Sequence, residues 1–456
     1  MTDFTSDAFE PIGPRDEIHG ISRPSLSYWQ DAWRRLKANK RALVSLYLVV
    51  FLILFALVGP LVWRVDPASQ DLDQVGRAPG VDRRALIVAE YTPWDGSSLA
   101  SSPSSGLRLA ASPNTQAVRL IWDELEGANG HRVYRNLFPI GPELAFGIPI
   151  IEFFDNDTLF FEDRLDLRPY TYYYSVVALD SLGELTTTYE TMEVNVSRVT
   201  TLSEAIDNGL VSADEGLQIG DQVLLPLHPL GTDYLGRDML ARLMAGGQVS
   251  LLIGIGAPFI FVLFGVAFGS IAGYIGGKVD QVMMRFADFV VALPFLLFMI
   301  LFKISFGIGP GESGVFPMLV ALVILMWPAT ARLVRGQILQ IREQGYISAS
   351  QLLGAKTSYL IVRHMIPNTM GVVLVTLTFA IPSAIFTEAF LSFIGMGVAP
   401  PTPSWGSMSN EGIKNMLISP HELIFPALFI SITVLAFNLL GDGLRDALDA
   451  RMRSTE

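Results

Sequence analysis

The sequence contains no cysteine, which excludes disulfides, thiolate metal sites and cysteine nucleophiles and removes any redox sign of compartment. Histidine is scarce as well. Its five residues, His19, His131, His228, His364 and His421, are scattered with no pair at metal-ligand spacing, so no metal site is expected. Charged residues make up 17% of the chain, where a soluble domain carries about 25%. The net charge is -12, and no basic stripe supports nucleic-acid binding by counterion release. Phosphate-binding loops are missing too. Gly277-Lys278 is followed by Val279 and preceded at the wrong spacing by Ala272, so it does not complete G-x-x-x-x-G-K-[ST], and Gly307-Ile-Gly309 does not complete G-x-G-x-x-G. No catalytic residue and no cofactor bound by the chain itself are expected, and no clear repeat marks a secondary transporter.

What the chain has is apolar length. Its 456 residues exceed one ordinary soluble domain, and a mean hydropathy of +0.41 says that much of the surface faces lipid. A spanning helix needs about 20 mostly apolar residues. Such a run extends from Ala42 to Val62, behind the basic patch Arg34, Arg35, Lys37, Lys40 and Arg41. By the positive-inside rule this patch stays in the cytoplasm and the chain leaves the membrane near Trp63. Five more runs follow at about 250–276, 284–305, 315–336, 369–395 and 422–441. The reading is a polytopic α-helical membrane protein with six transmembrane helices and both termini cytoplasmic. Lys278, Arg332, Arg335, Arg342, Lys356, Arg363 and Arg445, with Arg451 and Arg453, fall on the expected inner segments. Gly265, Gly269 and Gly273, spaced four apart, allow a close helix contact, either within the chain or with a partner.

Between 65 and 235 period-two alternation replaces the long apolar runs. Val118, Leu120 and Trp122 alternate, Tyr172, Tyr174, Val176 and Ala178 line one face of another run, and Glu193-Val-Asn-Val-Ser197 closes the set. This predicts an extracytoplasmic, inserted all-β sandwich. At Trp122, Val133-Tyr134-Arg135 and Leu167-x-Pro169-x-Thr171 it resembles a fibronectin type III module, over about 104–200. Residues 140–162, with Phe153-Phe154 and Phe160-Phe161, are read as a long loop that suits an interaction.

The longest cytoplasmic loop, 337–368, reads as two short helices joined near Gly354, with Pro367 in the first turn of the next span. Small residues Ser348, Ala349 and Ser350 leave a low-relief surface on the first helix. The arrangement Ser348-Ala349-Ser350-x3-Gly354 followed by Ile366-Pro367 resembles the EAA loop of binding-protein-dependent ABC permeases. Arg342-Glu343-x-x-Tyr346 and Arg363-His364-x-x-Pro367-Asn368 resemble the oligopeptide/dipeptide branch. So do His228-x4-Asp233-x-x-Gly236-Arg237-Asp238, Gly273-Tyr-Ile-Gly-Gly277-x-x-Asp280, Glu388 to Gly395, Pro403-Ser-Trp405-Gly406 and Trp33-x-x-Leu36. The resemblance covers 25–65 and 225–450; the family usually lacks the sandwich, and it has a glutamate and an alanine where this chain has Ser348 and Ser350.

The resemblance implies a type I ABC importer permease fold. It implies a non-catalytic subunit that imports oligopeptides or dipeptides, or alternatively nickel or a metal chelate; a secondary transporter is the reading from another class. The implied partners are a second permease, two cytoplasmic ATPases that hold ATP and Mg2+, an extracytoplasmic substrate-binding protein and membrane lipid. Glu343, Tyr346, Ser348, Ala349, Ser350, Gly354, Arg363 and Pro367 are the expected ATPase-coupling residues. Glu388 and Ser392 are the expected pathway or gate residues, and Asp233, Gly236, Arg237 and Asp238 form a family-like polar block. The expected layout is a cytoplasmic tail at 1–41, a first span at 42–64, an insertion at 65–235, a permease core at 236–445 and a cytoplasmic tail at 446–456.

Overall fold

The structure, a computed structural model, describes residues 28–96, 106–140, 146–212, 214, 216–306 and 313–448. The outer parts of both expected tails, 1–27 and 449–456, lie outside the described residues. In chain order the helices are α1 (Tyr28–Ala38), α2 (Lys40–Val62), α3 (Leu202–Asp207), α4 (Met239–Ile275), α5 (Gly277–Val291) and α6 (Phe295–Ser305). They continue as α7 (Val315–Arg342), α8 (Gly345–Leu352), α9 (Thr357–Tyr359), α10 (Ile366–Phe393), α11 (Trp405–Lys414) and α12 (His421–Leu448). The chain divides into two compact units, one of 1–64, 243–411 and 423–456, the other of 65–242 and 412–422. The second unit thus includes residues 236–242 and 412–422 together with 65–235.

In the first unit, α2 starts where Asn39 Oδ1 accepts from the N–H groups of Arg41 (3.2 Å) and Ala42 (3.3 Å), two donors that a first turn leaves open. Among the described residues, five helices are long and apolar enough to cross a membrane: α2, α4, α7, the continuous helix Thr357–Phe393, and α12. The expected third span is not one helix. α5 and α6 meet at 82°, and Pro294 (ψ 115) leads into α6 from a conformation that no α-helix continues through. At 15 and 11 residues they reach about 22 and 16 Å, each short of the ~30 Å hydrocarbon core. Six continuous spans thus become five and one broken pair.

The glycine stripe of α4 faces α7. A Cβ on Gly269 would lie 2.3 Å from the Ala331 carbonyl oxygen, and one on Gly265 would lie 2.9 Å from that of Trp327. The close contact is made within the chain. The acids of α5 pair with the same helix: Arg335 holds Asp280 through two bonds of 2.5 Å, and Arg332 reaches Asp288 at 2.6 Å.

In the second unit, β2 (Arg108–Leu109), β3 (Val118–Ile121) and β6 (Phe160–Asp163) form one sheet, in the order β2-β3-β6. A second has the order β5-β4-β7-β8, from β4 (Gly130–Asn136), β5 (Ile151–Phe153), β7 (Thr171–Leu179) and β8 (Leu185–Asn195). Val118, Leu120 and Trp122 from one sheet and Val133, Tyr174 and Val176 from the other share a core. The expected loop at 140–162 contains β5 and the start of β6. Phe153 packs on Phe161 and Trp122, and Phe160 on Trp94, leaving Phe154 as the exposed member of the four. A third sheet, β10-β1-β9, joins β1 (Arg84–Val88), β9 (Val199–Thr201) and β10 (Gln222–Leu224).

Candidate functional site

The segment expected to couple to an ATPase begins where α7 ends at Arg342 and Glu343 caps it with its side chain 77% exposed. α8 is held by one apolar anchor, Ile347, which is fully buried in the cluster of Val334, Ile338, Ile361 and Met365. Polar contacts fix its ends: Gln351 Nε2 donates to Tyr274 Oη (3.2 Å), and Asn368 Nδ2 donates to Tyr346 Oη (3.1 Å). The rest of its surface is open. Ser348 and Ala349 are exposed, Ser350 is half-buried and back-bonds to the Tyr346 carbonyl (2.9 Å), and Leu352 and Leu353 are each 89% exposed. Gly354 follows at φ +84, closing the helix with a bond from its N–H to the Gln351 carbonyl (2.9 Å). A Cβ there would touch nothing within 4 Å, so glycine serves the left-handed turn and not a close approach.

The second expected short helix is instead the first turns of a long one. α9 passes through a π-helical stretch, Leu360–Met365, into α10. Pro367 explains the wide turn, since it donates no N–H and its ring would crowd the carbonyl four residues back. Arg363 and Pro367 are both exposed on this stretch.

Glu388 lies in a packed joint. It is fully buried on α10 and accepts from Ser250 Oγ on α4 (2.8 Å) and from Ser392 Oγ one turn on (2.8 Å). Ser250 Oγ also accepts from the Trp405 N–H (3.2 Å), Trp405 Nε1 donates to the Leu243 carbonyl (2.9 Å), and Ser392 Oγ accepts from the Val398 N–H (3.1 Å). Gly406 is required by closeness, because its Cβ would sit 2.5 Å from the Ala389 carbonyl oxygen. Three sequence blocks, one of them 138 residues away at Ser250, thus converge around one carboxylate.

The polar block forms a second joint, within the other unit. Asp233 is buried; it accepts from the N–H groups of Leu235 and Arg237 (2.9 Å each), from Arg237 Nε (2.7 Å) and from Arg242. Asp238 accepts from His228 Nδ1 (2.7 Å) and the Ala241 N–H (2.6 Å), while Asp71 stands 3.7 Å from His228 Nε2. Gly236, at φ +76, puts its Cα side against the Asp71 carbonyl oxygen, 1.9 Å from where a Cβ would be. Among the described residues no three His, Cys, Asp or Glu side chains converge as metal ligands.

Two family models match this chain. One, the binding-protein-dependent transport system inner membrane component, covers residues 265–454, the stretch that holds α8 and Glu388. The other, the N-terminal TM domain of oligopeptide transport permease C, covers 27–79. The chain is 48% identical over 226 residues to the oligopeptide transport system permease protein OppC of Bacillus subtilis, spanning 50% of this chain and 72% of that protein. The chain belongs to this permease family. The permease is also 47% identical over 228 residues to the dipeptide transport system permease protein DppC of Bacillus subtilis, spanning 50% of this chain and 69% of that one. Against the glutathione transport system permease protein GsiD of Pectobacterium atrosepticum it is 42% identical over 227 residues, 50% of this chain and 74% of that one.

The structure of the permease joins residues that sequence reading left apart. Ser250 and Trp405 belong to blocks noted separately, and only the fold makes Ser250 a partner of Glu388 and Trp405 a partner of Ser250. Leu352 and Leu353 were missed because an apolar pair at a helix end reads as core, yet here it faces outward. Tyr274 and Asp71 carried no motif that pointed to Gln351 or His228.

His228 gives the permease a pH dependence. Burial alone would depress the imidazole, but the carboxylates of Asp238 and Asp71 outweigh it and raise its pKa to about 9. A group held above its unfolded value of about 6.5 stabilises fully below that value, and the contribution is lost as pH rises through the folded pKa. The unfolding temperature in detergent is therefore expected to drop between about pH 7 and about pH 10, and His228→Asn to flatten that slope. An unchanged slope in the variant would assign the transition to another group.

Proposed function

We propose that this chain is one membrane half of a type I, ATP-driven importer of oligopeptides or dipeptides. The observation that carries the reading is α8, an eight-residue helix with one buried anchor and an exposed small-residue face, set between two long apolar helices. Glu343, Tyr346, Ser348, Ala349, Ser350, Gly354, Arg363 and Pro367 form the surface that receives a cytoplasmic ATPase. Glu343 is exposed and supplies the carboxylate that the family has where this chain has Ser348. ATP and Mg2+ belong to two such ATPase chains, a second permease completes the pathway, and an external binding protein delivers peptide. The names of the relatives, which specify oligopeptide, dipeptide and glutathione transport, support a peptide substrate.

Both termini are cytoplasmic in this reading and residues 65–235 lie outside, in a bacterial inner membrane. The basic residues beside α2, α7 and α8 support that orientation. The inserted sandwich is fibronectin type III-like. Its support is the two-sheet strand order, the buried Trp122, and the hydroxyl of Tyr172, which accepts from the Arg168 N–H (3.0 Å) across the corner before β7. Glu388 and Ser392 secure the end of α10 beside the outer loop that carries Trp405, where a gate would be built.

The test is mass spectrometry of what copurifies with a tagged copy from its native membrane, with ATPase activity measured on the same sample. A second permease, ATPase chains and peptide-stimulated hydrolysis are expected. A chain isolated alone that moves solute without nucleotide would make it a secondary transporter.

A further inference from the structure

Charge is segregated along this chain. Residues 65–235 hold 26 Asp or Glu against 10 Arg and no Lys, a net -16 in a chain whose total is -12, so the remainder is +4. The imbalance is at the surface. Among the described residues of that segment, 15 carboxylate side chains are exposed against two arginines, Arg84 and Arg164. A field of one sign over a whole domain concentrates solutes of the opposite sign around it and speeds their arrival.

One pole of the sandwich concentrates this charge around apolar tips. The β3–β4, β5–β6 and β7–β8 turns meet there: the Trp122 N–H donates to the Leu159 carbonyl (3.0 Å), the Asn129 N–H to the Leu179 carbonyl (2.8 Å), and Asn156 Nδ2 to Glu124. The three turns present Glu124, Glu126, Asp155, Asp157 and Glu184 to solvent. Between them protrude Phe154, 74% exposed, and Leu182, 83% exposed. Asp155 spends one oxygen on the Thr158 N–H (2.7 Å). Beneath the same turns His131 is fully buried against Trp122, their ring centroids 5.7 Å apart, and neither imidazole nitrogen has a hydrogen-bond partner. Asp155 and Glu124 are the carboxylates that act on it.

We propose that this pole is a contact site for cationic peptides, binding lysine or arginine side chains at the carboxylates and an intervening apolar side chain at Phe154 and Leu182. The proposal rests on the peptide-permease reading and adds a charge class to it. Charge complementarity selects the occupant, since an acidic or neutral peptide gains nothing from the field that surrounds the domain.

The experiment uses the purified full chain in phosphatidylcholine nanodiscs with two fluorescein-labelled probes, Lys-Leu-Lys-Phe-Lys and Glu-Leu-Glu-Phe-Glu. At low salt the cationic probe is expected to bind at least ~10-fold more tightly, with the advantage shrinking several-fold at about 0.3 M salt as screening shortens the field. The variant E124Q/E126Q/D155N/D157N/E184Q is expected to cut the preference at least several-fold, to what the remaining field of the segment supplies, and F154S/L182S to weaken the cationic probe while keeping the salt dependence. Equal binding of the two probes, or a preference undiminished by the five substitutions, would overturn the proposal. So would a variant that binds both probes normally but loses a copurifying protein, which would make the pole a protein-docking face. Uptake of a neutral peptide by the assembled importer is measured separately; its failure counts against the importer reading and leaves the binding comparison intact.

Discussion

Ala349→Trp is expected to cut ATP-driven uptake by ~10- to 100-fold while the chain still inserts and folds. Ala349 is exposed on α8, and exposed substitutions away from special geometry usually change stability by about 0.5 kcal/mol or less. In a partner groove that accepts a low-relief helix, the added ring is an overpacking substitution of about 1–3 kcal/mol, and each 1.4 kcal/mol is a factor of ten. The loss should therefore appear in assembly and in coupled hydrolysis, not in expression or thermal unfolding. Gly354→Ala is the companion variant. It has room for its methyl group but stands at φ +84, where an L-residue costs about 1–2 kcal/mol, so it misdirects α8 without filling the interface. Normal uptake by Ala349→Trp would move the ATPase contact elsewhere on the permease.

Glu388→Ala should destabilise the fold by about 3–5 kcal/mol, because removing one member of a buried polar joint leaves the others without partners. Ser250 and Ser392 would each lose the oxygen they donate to, and Ser250 also positions the Trp405 backbone. Glu388→Gln keeps the shape and one acceptor, so it should retain most of the stability. Comparing the two separates roles. A glutamine chain with normal unfolding and normal uptake makes the carboxylate a fastening between α4, α10 and the Trp405 loop. Normal unfolding with uptake lost would give the charge itself a part in transport. Thermal unfolding in detergent and peptide uptake in vesicles, made on one preparation of each variant, read both quantities.

The long apolar helices were legible because lipid demands length and composition, and both can be counted. Where they break was not. Pro294, Pro328 and Pro382 all fall in apolar runs, yet α7 and α10 continue through theirs while the α5–α6 pair does not. A proline states which bond is missing, and the neighbouring packing decides whether the chain bends. The strands of the second unit were legible where residues alternate, as at Val194 and Val196 between exposed neighbours, but β5 hid in an apparent loop because three residues show no period. The β10-β1-β9 sheet hid for the same reason and because β1 lies more than 100 residues from both strands it pairs with. Of the coupling segment, the small residues and Gly354 were legible; the π-helical turn was not, since it reflects strain relief at Pro367 and not residue preference.

That small sheet has a consequence for how the permease carries the residues between its strands. Leu86 sits opposite Val199, and Val88 opposite Thr201, so the strand before residues 89–198 and the strand after them are laid side by side, about 4.8 Å apart. The whole of 89–198 hangs from one closed neck. A module mounted this way can be gained, lost or exchanged between related chains without stretching what lies on either side of it, as a pendant can be changed without recutting the chain.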